Sequence, residues 1–83
     1  MTSRFEKAIQ RLRQNPKNVK FEEIENILLR LGFEKRHASG SHATFRKSGY
    51  RPLTVPYKKP FVKPSYVKLL LKTLEYMGIL DEE

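Results

Sequence analysis

The chain has 83 residues, no cysteine, and 17 Lys and Arg against 9 Asp and Glu, for a formal net charge of +8. That length supports one hydrophobic core and not two, and without cysteine neither a disulfide framework nor a thiolate metal site is available to reinforce it. No apolar run approaches the roughly 20 residues that cross a bilayer, and Arg4, Glu6 and Lys7 interrupt any signal-like stretch at the start, so a single-domain cytoplasmic protein without membrane association is expected.

Ser3 and Glu6 make a capping box, and Phe5, Ala8, Ile9 and Leu12 follow at helical spacing, which predicts a first helix ending near Gln14 before Asn15-Pro16. Phe21, Ile24, Ile27, Leu28 and Leu31 form the stripe of a second helix, with Gly32 in place to end it and no strong cap residue ahead of Phe21. Three short strands fit residues 33–37, 42–47 and 52–55, separated by Ser39-Gly40 and Ser48-Gly49. Alternation along the second strand sets Ala43 and Phe45 against His42, Thr44 and Arg46, and Pro52 and Pro56 bracket a third strand expected at a sheet edge. Pro64 opens a last helix with the stripe Val67, Leu70, Leu71, Leu74 and Met77, closed by Gly78. The order α-α-β-β-β-α predicts an α+β fold in which helices cover one face of a three-stranded antiparallel sheet and leave the other open.

The charge is unevenly spread. From Lys35 to Lys72 the chain carries Lys35, Arg36, Arg46, Lys47, Arg51, Lys58, Lys59, Lys63, Lys68 and Lys72 without a single Asp or Glu. Such a field attracts a polyanion, nucleic acid ahead of a membrane surface or an acidic protein. Within it, the turn Gly40-Ser41 delivers His42 onto the outward side of a strand together with Arg46. RNA carries its own nucleophile, the 2′-hydroxyl, so an enzyme needs a base, an acid for the leaving oxygen and cations for the charge that develops; imidazole titrates near neutrality and serves as either. The ordinary reading of His42 is an exposed strand residue, and His37 has no such turn before it. Lys58, Lys59, Lys63, Lys68 and Lys72 form a candidate phosphate track, whereas Tyr50 and Tyr57 either stack on bases or complete the core.

Two histidines, no cysteine and no acid within the basic window give no zinc or magnesium ligand set, and no cofactor motif is present. A Ser/His/Asp arrangement is set aside because neighbouring strand side chains at Ser41 and His42 should diverge.

Leu31-Gly32-Phe33, Gly40-Ser41-His42-Ala43-Thr44-Phe45-Arg46, Leu53-Thr54-Val55-Pro56 and Lys63-Pro64-Ser65, in this order and spacing, resemble the HicA family of bacterial toxins over residues 21–80. The resemblance implies a double-stranded-RNA-binding-like fold, ribonuclease activity on messenger RNA and a HicB-like antitoxin as partner. The family's catalytic histidine carries over to His42. Ala43 stands directly after the motif, where many relatives have a second histidine or another polar residue, and Tyr57-Lys58-Lys59 stand after Val-Pro, where many have a histidine. The resulting expectation is a metal-independent RNA endonuclease with His42 as base or acid and Ser41, Arg46, Lys58, Lys59, Lys63 and Lys68 as RNA contacts. A non-catalytic RNA-binding module and a basic adaptor for an acidic protein are the alternatives. Residues 1–18 form an additional helix and loop, residues 19–80 the HicA-like core and residues 81–83 an acidic tail; the extra helix either completes the core or shapes a partner interface.

Overall fold

The computed structural model describes residues 4–78, and within them the side chains of all but residues 37–39. Its elements run α1 (Arg4–Gln14), α2 (Phe21–Arg30), β1 (Glu34–Ser39), β2 (His42–Arg46), β3 (Leu53–Pro56) and α3 (Pro64–Tyr76). The expected α+β order is the observed one.

In α1 the apolar spacing turns Ile9 and Leu12 into the core, with Phe5 and Ala8 packed at its border. The additional helix therefore helps to complete the core. Ser3, the expected cap, lies outside the described residues. The start of α2 is capped by an unexpected route: no Ser or Asp stands at the cap position, but the Lys20 amide donates to Glu23 Oε2 at 3.1 Å, so a carboxylate one turn inside the helix reaches back and satisfies the N–H of the cap residue. The same carboxylate accepts from Arg11 Nε at 2.8 Å and so ties α1 to α2.

Gly32 ends α2 at φ +96, where an L side chain is strained. Gly32 N–H bonds to Leu29 and Phe33 N–H to Leu28, at 3.1 and 3.0 Å, the double bond of a Schellman motif. Phe33 is used up by this turn, which is why β1 begins at Glu34 instead of Phe33.

The sheet has the order β1-β2-β3, antiparallel throughout. Phe45 lies between Lys35 and Leu53, and Ala43 between His37 and Val55. Ala43, Phe45, Leu53 and Val55 are buried, and Thr44 and Thr54 join hydroxyls on the opposite side at 3.1 Å. A register shift between His37 and Ser39 sets Ser39, not Ala38, opposite His42. On the far side His42 faces Pro56, which enters β3 as its last residue because an edge strand tolerates a missing N–H there.

Pro64 is the first residue of α3, and Val67, Leu70 and Leu74 point into the core, with Leu71 and Met77 partly buried beside them. A bond from Val62 N–H to Val19 C=O, 2.9 Å, ties the connection before α3 to the one before α2. Helices α2 and α3 pack against β1 and β3, and α1 touches both helices. The core holds no polar side chain among the described residues, so burial of apolar area is its main support. None of the described helices is long and apolar enough to cross a membrane.

Candidate nucleic-acid interface

His42 opens β2, and the pleat that buries Ala43 and Phe45 sends His42, Thr44 and Arg46 to the open face. Its ring is half-buried. Ser41 does not diverge from it, contrary to the expectation from strand alternation: Ser41 Oγ lies 3.0 Å from His42 Nδ1. The reason is local. Ser41 belongs to the turn before the ladder begins, so its side chain is not bound to the two-residue alternation. The hydrogen bond fixes the ring about its own axis and engages one of its two nitrogens.

The same turn is held from the other side. Tyr57 N–H donates to Ser41 C=O at 2.9 Å, one residue beyond the last pair of the β2–β3 ladder. This bond brings the Tyr57-Lys58-Lys59 segment alongside the Ser41-His42 turn. Lys58 and Lys59 are exposed and line a cleft of about 300 Å³ with Lys20, Phe21, Glu22, Tyr57 and Pro60. The Tyr57 ring itself packs on Phe21, centroids 4.6 Å apart, so it serves the core border in this structure. Tyr50 does likewise against Phe33, at 6.1 Å.

Not all of the expected contacts converge. Arg46 shares the open face with His42 but stands four residues further along the strand, about 13 Å away, opposite Glu34 and beside Arg36 and Lys47. Lys63 is the residue before α3, without a side-chain cap bond, and Lys68 lies exposed on the helix, on the helical side of the sheet. Lys35, first of the basic window, is a half-buried and paired cation: its ammonium bonds Glu25 at 2.7 Å and sits over the Phe21 and Tyr57 rings. The bond to Glu25 holds its pKa above the ordinary lysine value, against the opposing pull of burial.

Lys20 is the residue that the sequence pattern misses. It lies outside the acid-free window and is followed by Glu22 and Glu23, yet the Val19–Val62 bond places it at the same junction as Lys63, and it borders the Lys58-Lys59 cleft. Only the tertiary pairing of two loops reveals it. Among the described residues no three His, Asp or Glu side chains gather where they would hold a metal ion.

A basic α+β protein with one histidine fastened at the head of its central strand is the setting in which family comparison becomes informative. The chain is a toxin of a bacterial toxin–antitoxin system. It belongs to the HicA toxin family, whose model matches residues 21–76, taking in α2, the whole sheet and α3 and leaving α1 outside. Comparison with curated proteins gives no match. Comparison with solved structures gives none either.

Proposed function

We propose that this toxin is a metal-independent RNA endonuclease acting on messenger RNA through His42, and that a HicB-like antitoxin neutralises it. The observation that carries the reading is the Ser41–His42 hydrogen bond on the open face of the sheet, in a turn that the bond from Tyr57 N–H to Ser41 C=O joins to the Lys58-Lys59 segment, in a member of the HicA family. As base, the His42 imidazole takes the proton of the 2′-hydroxyl while that oxygen attacks the adjacent phosphorus; as acid, the imidazolium returns a proton to the departing 5′-oxygen. The products are a 2′,3′-cyclic phosphate and a free 5′-hydroxyl. Lys58 and Lys59, with Ser41, bind the phosphate that reacts and stabilise the charge that develops on it. Arg46, Lys63 and Lys68 bind the strand farther from the cut.

The test compares growth arrest and RNA cleavage for the wild type, His42→Ala and His42→Gln, with circular dichroism as the control for folding. Both variants are expected to fold and to lose about a hundredfold to ten-thousandfold in rate, the usual worth of a proton-transfer group. Wild-type cleavage should persist in excess chelator and leave cyclic phosphate ends. Cleavage at the wild-type rate by a folded His42→Ala chain would overturn the assignment and favour the RNA-binding module. Loss of wild-type activity in chelator, restored by magnesium, would overturn the mechanism.

A further inference from the structure

Behind the sheet from His42, a groove of about 590 Å³ runs between α3 and the connection from β2 to β3. Tyr50, Pro52, Leu69 and Tyr76 give it apolar walls, and Arg51 and Lys72 stand on its rim. Leu69 is 50% exposed and Tyr76 79%, two of the three large hydrophobic side chains that stand exposed among the described residues. Their seven-residue spacing on α3 separates them by about 10 Å along the helix axis. The floor is firm, because the Tyr76 ring meets the Tyr50 ring edge-on at 5.9 Å and Tyr50 is backed by Phe33.

A solvent-facing apolar recess of this kind on a small protein marks a contact surface. Its chemistry selects among occupants. Leu69 and Pro52 offer aliphatic walls that suit an apolar side chain, and the Tyr50 and Tyr76 rings, set edge to face, do not form the parallel stacking platform that a nucleotide base takes. The rim is cationic, and neither Arg51 nor Lys72 makes an ion pair or side-chain hydrogen bond among the described residues. No acidic residue lines the groove.

We propose that this groove docks an acidic polypeptide segment of the antitoxin, with an apolar side chain seated between Leu69, Tyr76 and Pro52 and carboxylates against Arg51 and Lys72. The proposal rests on membership of a toxin–antitoxin system and is independent of the nuclease chemistry. The groove lies at the Leu53 end of β3, whereas His42 faces Pro56 at the other end, about 10 Å along the strand. An anchor here holds the partner without itself covering His42, so affinity and inhibition become separable properties.

The experiment titrates the purified chain calorimetrically with the purified polypeptide encoded next to its gene, using the wild type and the variants Leu69→Asp, Tyr76→Ala and Lys72→Glu. Each variant is expected to bind at least tenfold more weakly, about 1.4 kcal/mol, and Lys72→Glu to show a flatter dependence on salt. Leu69→Asp and Tyr76→Ala should leave RNA cleavage unchanged. Unaltered affinity in both of these, with wild-type circular dichroism, would overturn the groove while leaving the antitoxin reading in place. A wild-type chain that fails to bind the polypeptide would overturn that reading and the proposal with it. Two further results would reassign the groove: loss of affinity for an RNA oligonucleotide in these variants, or loss of self-association in sedimentation, either with polypeptide binding intact.

Discussion

Charged side chains behave differently in the two halves of this molecule. In the first, Arg11 joins α1 to α2 through Glu23 at 2.8 Å, and Lys35 joins β1 to α2 through Glu25 at 2.7 Å. In the second, from Arg46 through Lys72, no Lys or Arg makes an ion pair among the described residues. Cations of the first kind have their field cancelled within a few ångströms and act on the fold. Those of the second kind keep theirs for whatever approaches, and an unscreened field on a small body speeds the encounter with an oppositely charged partner. Net charge alone hides this division, because Lys35 adds to the total as much as Lys58 does.

The comparison sharpens first against a residue that carries no charge. Phe45→Ala, at the fully buried centre of the sheet, should cost about 3–5 kcal/mol, a large part of the stability of so short a chain. Urea unfolding monitored by circular dichroism measures it. No single ion pair in the first half should approach that figure; one that did would make charge, not burial, the main support of the fold. Next, the combined replacement Lys58→Ala and Lys59→Ala should leave the unfolding midpoint in place and flatten the log-log salt dependence of RNA affinity by up to about 1.4, at roughly 0.7 for each single-strand phosphate that is no longer neutralised. An unchanged slope, measured by fluorescence anisotropy, would move the binding surface away from the Ser41-His42 turn.

The smallest effect lies in the paired half. Burial alone would raise the Glu23 pKa, but hydrogen bonds from Arg11 and the Lys20 amide, with the charges of both residues, outweigh it and hold the carboxyl below its ordinary 4.5. A carboxyl whose pKa is lowered by folding adds stability that is complete above its unfolded value and lost as the pH falls through the folded one. Glu23→Gln should therefore lower the thermal midpoint by a few degrees at pH 7, and the gap from wild type should close as the pH drops below 4.5. A gap that persists in acid would mean that the amide replacement disturbs the α2 cap by some means other than charge.

Much of the architecture is legible in the sequence because local and tertiary demands agree. The α2 stripe, Gly32 at its end, Pro64 at the start of α3 and the alternation at Ala43 and Phe45 each name their environment directly. Strand ends are less legible, since Phe33 answers to the helix behind it and Pro56 to the edge beside it. For the candidate site, His42 can be read from its turn, but the Ser41 bond cannot, because alternation says nothing about a residue just outside the ladder. The basic window treats Lys35 and Lys58 alike, and only packing of β1 against Glu25 separates them. The Leu69 and Tyr76 groove is also hidden, as it joins two segments that share no pattern.

The single bond from Tyr57 N–H to Ser41 C=O has a dynamic consequence. It extends the β2–β3 ladder by one rung past the last paired residues, His42 and Pro56, and so couples the histidine turn to the base of the Lys58-Lys59 segment. Separation of either from the sheet requires breaking the same rung. In amide exchange, Tyr57 should then follow the slow protons of Ala43 and Val55 rather than the fast ones of a loop. The imidazole and its neighbouring lysines would thus leave and rejoin the folded body as one cooperative unit, so that this toxin spends little time with one in place and the other astray.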